Sequence, residues 1–386
     1  MSVSGQIAIA GVYEHPTRWA PEKSDAQIMA ESARGALEDC GLTLADVDGL
    51  FAAGMGMGPM GLVTLAEYLD IKPRYLDDTN IGGSSFVAHV NHAAAALHAG
   101  FCDVALILYG STAASNAMAI GTGLGGGRDP VASFVSPYGM TTVGSYALVA
   151  QRHMHEYGTT SEQLAEIAVT MRQHASLNPH AKMQKPISVE DVLESRMISS
   201  PLHLLDCCII SDGGGAVVVT RADRARDLAK APVLLRGCGE AVCHQEIGAP
   251  DLLTIAASQS SENAFRMADV RHDDIDFCTL YDSFTITVLA TLENLGFCKR
   301  GEGGAFVEGG RLRLGGALPV NPDGGGLSSN HPGMRGIFLV IEAVHQLRGE
   351  CGERQVRDAA VGLVHGTGGT LGTLHSGATL ILEKTR

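Results

Sequence analysis

Aromatic side chains are scarce, at 5% of 386 residues with a single tryptophan. Together with 45% hydrophobic content, 18% charged content and 48 glycines, that suits a tightly packed α/β protein and excludes a disordered or fibrous one. Cations are also in deficit: 28 Lys and Arg stand against 42 Asp and Glu, giving a formal charge of −14, and no long basic run occurs. Phosphate binding needs clustered cations, so nucleic acid is excluded as a general partner. Regularly spaced cysteines are lacking too, since nine are scattered over the chain, as reduced cytosolic thiols are. No apolar run approaches the roughly 18 residues of a membrane span, and the opening "MSVSGQIAIAGVYE" has no basic segment leading into an apolar one. The expectation is a soluble, cytoplasmic protein of one or two domains, with no disulfides and no membrane span.

What is present is a series of β-rich runs between helical stretches. "QIAIAGVY", "DVDGLFAAG", "DVALILYG" and "GGGAVVVT" come first; "APVLLRGCG", "DIDFCTLYD", "AAVGLVHG" and "GATLILEK" follow. Many are apolar at successive positions, which predicts strands covered on both faces and helices on both sides of the sheets. Three landmark pairs repeat in the same order. Residues 42–51 match 270–280, where an acidic stretch feeds a strand, and 211–225 match 375–386, where a small-residue turn feeds a closing strand. Between them, 84–100 match 331–349, a helix ending at glycine in both halves. The order implies a duplicated unit, residues 1–225 and 226–386, with 111–210 inserted in the first half. An insertion of that kind commonly carries substrate contacts.

Packed as pseudo-twofold mates, the matched helices would bring their N-termini together, where free N–H groups stabilise a developing oxyanion. The segments of interest are then 80–86, within "TNIGGSSFVAHV", and 325–335, within "NPDGGGLSSNHPGMRG". The second places His331 at the helix mouth, with Pro332 in the first turn. Tyr281 and Asp282 end a strand in "LYDSFTITVL", where open α/β sheets bind ligands, although a core phenol bonded to a carbonyl is the plain alternative for Tyr281. His365 in "GLVHGTGGT" ends another strand and reads equally as a capping histidine in a tight turn. Weaker signals are set aside. "GTGLGG" (121–126) lacks the strand and helix of a dinucleotide site, and "CGEAVCH" (238–244) lacks a second cluster to complete a metal set. "HVNH" (89–92) and the adjacent Cys207 and Cys208 read as packing, and no metal is expected.

Taken together, the two halves, "GGLSSNHPGMRG", "SDGGGAVVV" and "HGTGGTLGTLHSGATLIL" resemble the thiolase superfamily, especially the sterol-carrier-protein-type thiolases and lipid-transfer-like acyl-CoA aldolases, from about residue 5 to the end. The resemblance implies a thiolase fold: duplicated α/β, five-layered αβαβα, with 111–210 as an inserted loop domain. It also implies a homodimer and acyl-CoA substrates, with coenzyme A entering only as part of the thioester and no other cofactor. In thiolases a cysteine on the first helix attacks the thioester, a His-Pro histidine helps form the oxyanion hole, and a late cysteine or histidine moves protons. His331 is the match for the second, and His365 or Gly366 stands where the last motif lies. "HPGM" keeps the His-Pro pair but shifts the glycine. The nucleophile's position falls on Gly83, with Ser84 and Ser85 the nearest hydroxyls, and Tyr281 replaces the asparagine that holds a water.

A serine without an adjacent base is a weak nucleophile, whereas a retro-aldol cleavage needs no acyl-enzyme. The leading expectation is therefore retro-aldol cleavage of a 3-hydroxyacyl-CoA, with Tyr281 or His365 exchanging protons and His331 and the helix ends as donors. The resemblance to the lipid-transfer-like aldolases implies a bulky, steroid-side-chain-like acyl group and a small OB-fold, zinc-ribbon partner completing a heterotetramer. The runner-up is a thiolase or acyltransferase on 3-ketoacyl-CoA using Cys207, Cys208, Cys278 or Cys102. A non-catalytic acyl-CoA-binding subunit is the third reading.

Overall fold

The structure is a computed structural model that describes residues 3–54, 60–117, 138–243, 251–371 and 373–385. Its strands are β1 (Ile7–Glu14), β2 (Gly49–Ala52), β3 (Tyr75–Asp77), β4 (Val104–Ser111), β5 (Met197–Ser199), β6 (Leu202–His203), β7 (Gly213–Arg221), β8 (Val233–Cys243), β9 (Phe277–Leu280), β10 (Val361–Thr370) and β11 (Thr373–Lys384). Each of the eight apolar runs singled out in the sequence forms one of them. β3, β5 and β6 are two or three residues long and partly exposed, so no apolar run announces them.

Nine strands form one sheet in the order β3-β2-β4-β7-β1-β8-β11-β10-β9. From the β1–β8 junction outward, the first wing reads β1, β7, β4, β2 and the second β8, β11, β10, β9, so the landmark pairs occupy equivalent places. β1 pairs with β8 at Ala8↔Leu234 and Ile9↔Val233, and Gly5 N donates to Leu235 O (2.8 Å) across the same junction. Helix Asp25–Cys40 covers the outer face of β1, β4 and β7, and helix Ala257–Ala268 covers β8 and β11. Helices Ser85–His98 and Gly336–Arg348 touch each other and strands of both wings, making the middle of five αβαβα layers. Their sequences are apolar nearly all round because they pack against strands of both wings of the sheet.

Two local readings change. Helix Gly336–Arg348 begins five residues after His331, not beside it. Pro332 lies in an irregular turn, in which Gly333 has φ +89°, rather than in the first helical turn. Ahead of that turn, Gly325–Ser329 forms a single π-helical turn. The inserted region supplies helices Thr142–Tyr157, Ser161–Ser176 and Val189–Glu194, and the last two start with capping boxes at Thr160/Gln163 and Ser188/Asp191. It reaches the second half directly. Arg172 Nε donates to Ser328 Oγ (2.9 Å), the His174 ring bonds Asn321 O (3.1 Å), and Asn178 Nδ2 donates to Asp323 O (2.9 Å). "GTGLGG" and His244 of "CGEAVCH" lie outside the described residues. No described helix is long and apolar enough to cross a membrane.

Candidate active site

The two central helices begin against each other. A side chain on Gly336 would overlap the carbonyl oxygen of Gly83, so glycine at 336 is what allows the approach. The end of β10 closes over the same place: a Cβ on Gly82 would lie 2.8 Å from Gly369 N and 3.0 Å from Gly368 Cα. Tyr281, which follows β9, reaches in from the second wing. A Cβ on Gly83 would overlap its ring and sit 2.7 Å from the Thr367 carbonyl oxygen. The phenol thus occupies the volume that a side chain at 83 would need.

Above this junction lies a pocket of about 530 Å³. Gly82, Gly83, Tyr281, His331, Gly333 and Thr367 are among its lining residues. Val143, Tyr146, Ile198, Leu204, Phe284 and Met334 supply apolar surface, with the Tyr146 and Phe284 rings 4.3 Å apart. The inserted helix Thr142–Tyr157 and the β5–β6 region therefore build a wall of the pocket.

Tyr281 OH and His331 Nε2 are 3.0 Å apart, and their rings meet edge to face. Burial raises the Tyr281 phenol well above its ordinary range. Burial, reinforced by the Arg335 guanidinium, lowers the His331 imidazole to about 4. Both groups are consequently neutral at pH 7. His331 is held from the first half of the chain: its N–H donates to Ser211 Oγ (3.0 Å) and its carbonyl accepts from Ser211 N (3.3 Å). Tyr109 on β4 donates its hydroxyl to Pro332 O and accepts from Met334 N (3.0 Å), clamping the turn that follows.

The structure does not bring the other sequence candidates into the pocket lining. Asp282 is buried below it, accepting from Gly326 N (2.7 Å) and Leu327 N (3.2 Å), with Arg335 Nε at 3.4 Å. Burial pushes its carboxyl up to about 6 against the pull of Arg335. It organises the glycine-rich turn from beneath. Ser84 Oγ donates to Ile81 O (3.1 Å) and pairs with Ser376 Oγ (2.8 Å). Ser85 Oγ donates to Gly82 O (2.7 Å) and accepts from Ile81 N (2.9 Å), so both serines secure the helix entrance. His365 faces away, with Nδ1 on Thr379 Oγ1 (2.9 Å).

Of the cysteines named above, Cys207 and Cys208 line the pocket, while Cys278 lies in β9 and Cys102 packs against Gly49. Burial pushes the Cys207 thiol up to about 12 and Cys208 higher still. Among the described residues neither thiol hydrogen-bonds to His331, whose Nε2 takes Tyr281 and whose Nδ1 has no partner. Sequence reasoning missed Thr367, Tyr109, Ser211 and Arg335. Arg335 lay within the quoted glycine-rich segment, where a lone cation beside so much backbone was the available signal.

Solved structures and sequences place this arrangement. The Ltp2-ChsH2(DUF35) aldolase structure superposes with a TM-score of 0.90 at 33% identity, covering 100% of both chains. The layers are those of the thiolase fold. A family model described as thiolase C-terminal domain-like matches residues 239–384. Over 89% of the chain and 91% of the relative, there is 34% identity to a steroid side-chain-cleaving aldolase of Thermomonospora curvata. Identity is also 34% to an acetyl-CoA acetyltransferase of Methanothermobacter thermautotrophicus, over 95% of the chain and 97% of the relative. The chain belongs to the thiolase superfamily, as an enzyme acting on acyl-CoA.

Proposed function

We propose that this enzyme cleaves a 3-hydroxyacyl-CoA by a retro-aldol reaction, with no acyl group ever attached to the protein. The observation that carries the reading is the packing of the Tyr281 ring over Gly83, the position where the family resemblance puts the thiolase nucleophile. A phenol paired to an imidazole stands there instead. The β-hydroxyl gives its proton to the Tyr281 oxygen as the phenol proton passes to His331 Nε2. The Cα–Cβ bond breaks, leaving a ketone or aldehyde and the enolate of the shortened thioester. Reversing the relay returns the proton to the α-carbon, so no co-substrate is consumed. The imidazolium is short-lived, because His331 binds a proton weakly. Two helix N-termini meeting at Gly83 and Gly336 give the enolate oxygen a positive potential.

The apolar wall of Val143, Tyr146, Phe284 and Met334 suits a bulky acyl group, and the relative that cleaves steroid side chains supports a ring-bearing one. In this reading 111–210 is the loop domain that shapes the acyl site, and the division of halves falls at 225/226. The assembly is a homodimer joined by a small OB-fold, zinc-ribbon protein, for which the two-component name of the Ltp2-ChsH2(DUF35) aldolase is support.

The test is an assay of the protein, alone and with its small partner, on 3-hydroxyacyl-CoA and on 3-ketoacyl-CoA plus free CoA. Ketone or aldehyde release from the first substrate without added CoA is expected. Tyr281→Phe and His331→Ala should each lower turnover at least about 10²-fold, the scale of a lost acid–base group. Near-normal turnover in both variants removes the reading. A second reading, thiolysis through Cys207 or Cys208, is favoured by their place in the lining. A covalent acyl-enzyme seen by mass spectrometry and abolished by Cys207→Ser or Cys208→Ser would establish it instead.

A further inference from the structure

Tyr146 lies one turn into the inserted helix Thr142–Tyr157, buried in the wall of the pocket. It touches two segments that reach the site from different strands. Its hydroxyl donates to the Gly369 carbonyl oxygen (3.2 Å), at the end of β10. Its ring lies against that of Phe284, which stands three residues after Tyr281 and precedes helix Thr285–Leu295. Burial pushes the Tyr146 phenol up to about 12, so the hydroxyl keeps its proton for the carbonyl at neutral pH.

Gly369 is an unusual place for such a bond. The β10–β11 register shifts between Gly368 and Thr370, so that Gly369 faces Leu374 and His375 across a β-bulge. Gly369 has φ +73°, and a Cβ on it would overlap the Leu374 carbonyl oxygen, which restricts the position to glycine. The ladder is interrupted there, and Tyr146 takes up the carbonyl. The same stretch bears on the site directly. A Cβ on Gly368 would overlap the Ile81 carbonyl oxygen, and one on Gly82 would meet Gly369 N at 2.8 Å. The turn that presents Gly82 and Gly83 therefore rests on the bulge that Tyr146 holds.

The segment after Tyr281 is tied to the insertion as well. Cys208 N donates to Ser283 O (2.9 Å), and Cys207 forms an antiparallel bridge with Phe284. A phenylalanine at 146 would supply the same ring contact to Phe284, so the hydroxyl is what joins the bulge to this arrangement.

We propose that Tyr146 is a positioning residue: by holding the β10 bulge and the segment after Tyr281 at one spacing, it aligns the Gly82–Gly83 turn with the Tyr281–His331 pair. Its effect on turnover rests on the reaction proposed above, whereas the clamp itself does not.

The experiment compares the full chain with Tyr146→Phe and Tyr146→Leu by hydrogen exchange and by kinetics. In Tyr146→Phe the amides of residues 80–85 and 366–371 should exchange several-fold faster, with those of helix Gly336–Arg348 unchanged and the melting temperature retained to within a few degrees. Tyr146→Leu, which removes the ring too, should extend the faster exchange to residues 281–287. The kinetic probe is 3-hydroxy-3-phenylpropanoyl-CoA, whose retro-aldol cleavage yields benzaldehyde and acetyl-CoA. Tyr146→Phe should lower kcat at least about 10-fold with little change in KM, as expected when reacting groups are misplaced rather than removed. Unchanged exchange in Tyr146→Phe, faster exchange throughout the chain with a matching fall in melting temperature, or an unaltered kcat despite local loosening overturns the proposal. An unsubstituted protein that cleaves no 3-hydroxyacyl-CoA removes the retro-aldol reading instead, and the exchange comparison then decides the clamp by itself.

Discussion

Gly83 and Tyr281 constrain each other, since the phenol ring fills the space where any side chain at 83 would begin. Gly83→Ser should therefore cost about 1–3 kcal/mol in urea unfolding, the usual scale for overpacking a core, and should displace the phenol from His331. Turnover in that variant should fall with stability, and an unshifted denaturation midpoint would show that the ring has room to move. His331 yields a prediction in pH. Its imidazole titrates near 4 rather than 6.5, so the acid limb of kcat/KM, which reports the free enzyme, should lie near pH 4. A limb near 6.5 would mean that the ring is solvated. Tyr281 and His331 could be named from the sequence because strand ends and His-Pro turns are recognisable; their hydrogen bond could not, because 50 residues separate them. Thr367 and Tyr109 carried no signal at all, since a threonine or tyrosine within an apolar strand looks like any other.

The glycine-rich segment 321–336 is held from several directions. Arg335 is fully buried, ion-paired with Asp323 and close to Asp282, and it also donates to Asn330 O at 3.0 Å. The inserted helix Ser161–Ser176 secures the far side through Arg172 and His174. Removing one member of a buried charge set exposes the cost of burying the others. Arg335→Met should destabilise the protein by about 3–5 kcal/mol, measured by denaturant unfolding, because it leaves two buried carboxylates without their cation. The milder Asp282→Asn should retain the fold and lower turnover by loosening the turn that leads to His331. Equal, small effects from both would mean that the segment holds its shape without the charges. The sequence marked this segment as important through its glycines and His331. It did not disclose that Asp282 serves the backbone of the turn, a role that exists only once β9 and the turn lie side by side.

For the molecule as a whole, buried neutral histidines set the response to acid. Burial lowers His89, His331 and His375 to about 4 and His365 to about 3. Between pH 6.5 and about 4 the unfolded chain binds protons at these sites and the folded chain does not, so stability falls as pH falls through that window. Each site contributes up to about 1.4 kcal/mol per pH unit. Asp282, raised to about 6, and the buried Asp206 and Glu342, also pushed up by burial, act oppositely over part of the range, while His174, lowered by burial, acts with the other histidines. His92, raised to about 9 by its hydrogen bonds to Asp77 and Glu240, joins the central helix to β8; its contribution is full below about pH 6.5 and is lost progressively as pH rises from there to about 9. Urea unfolding at pH 7, 6 and 5 should give steadily lower midpoints, and a flat series would refute the burial of these rings.

The sequence by itself determined the layered α/β architecture, because apolar strands and all-round apolar helices are stable only when covered on both faces. It determined the repeated order of elements and the two segments whose backbones meet. Only the tertiary structure decided which polar groups share the pocket. It paired Tyr281 with His331, turned Asp282, Ser84 and Ser85 toward backbone partners, and left His365 behind the wall with its Nε2 bare. The reason is physical: burial follows from local composition and periodicity, whereas the partner of a polar atom depends on direction and distance between chain segments far apart in sequence.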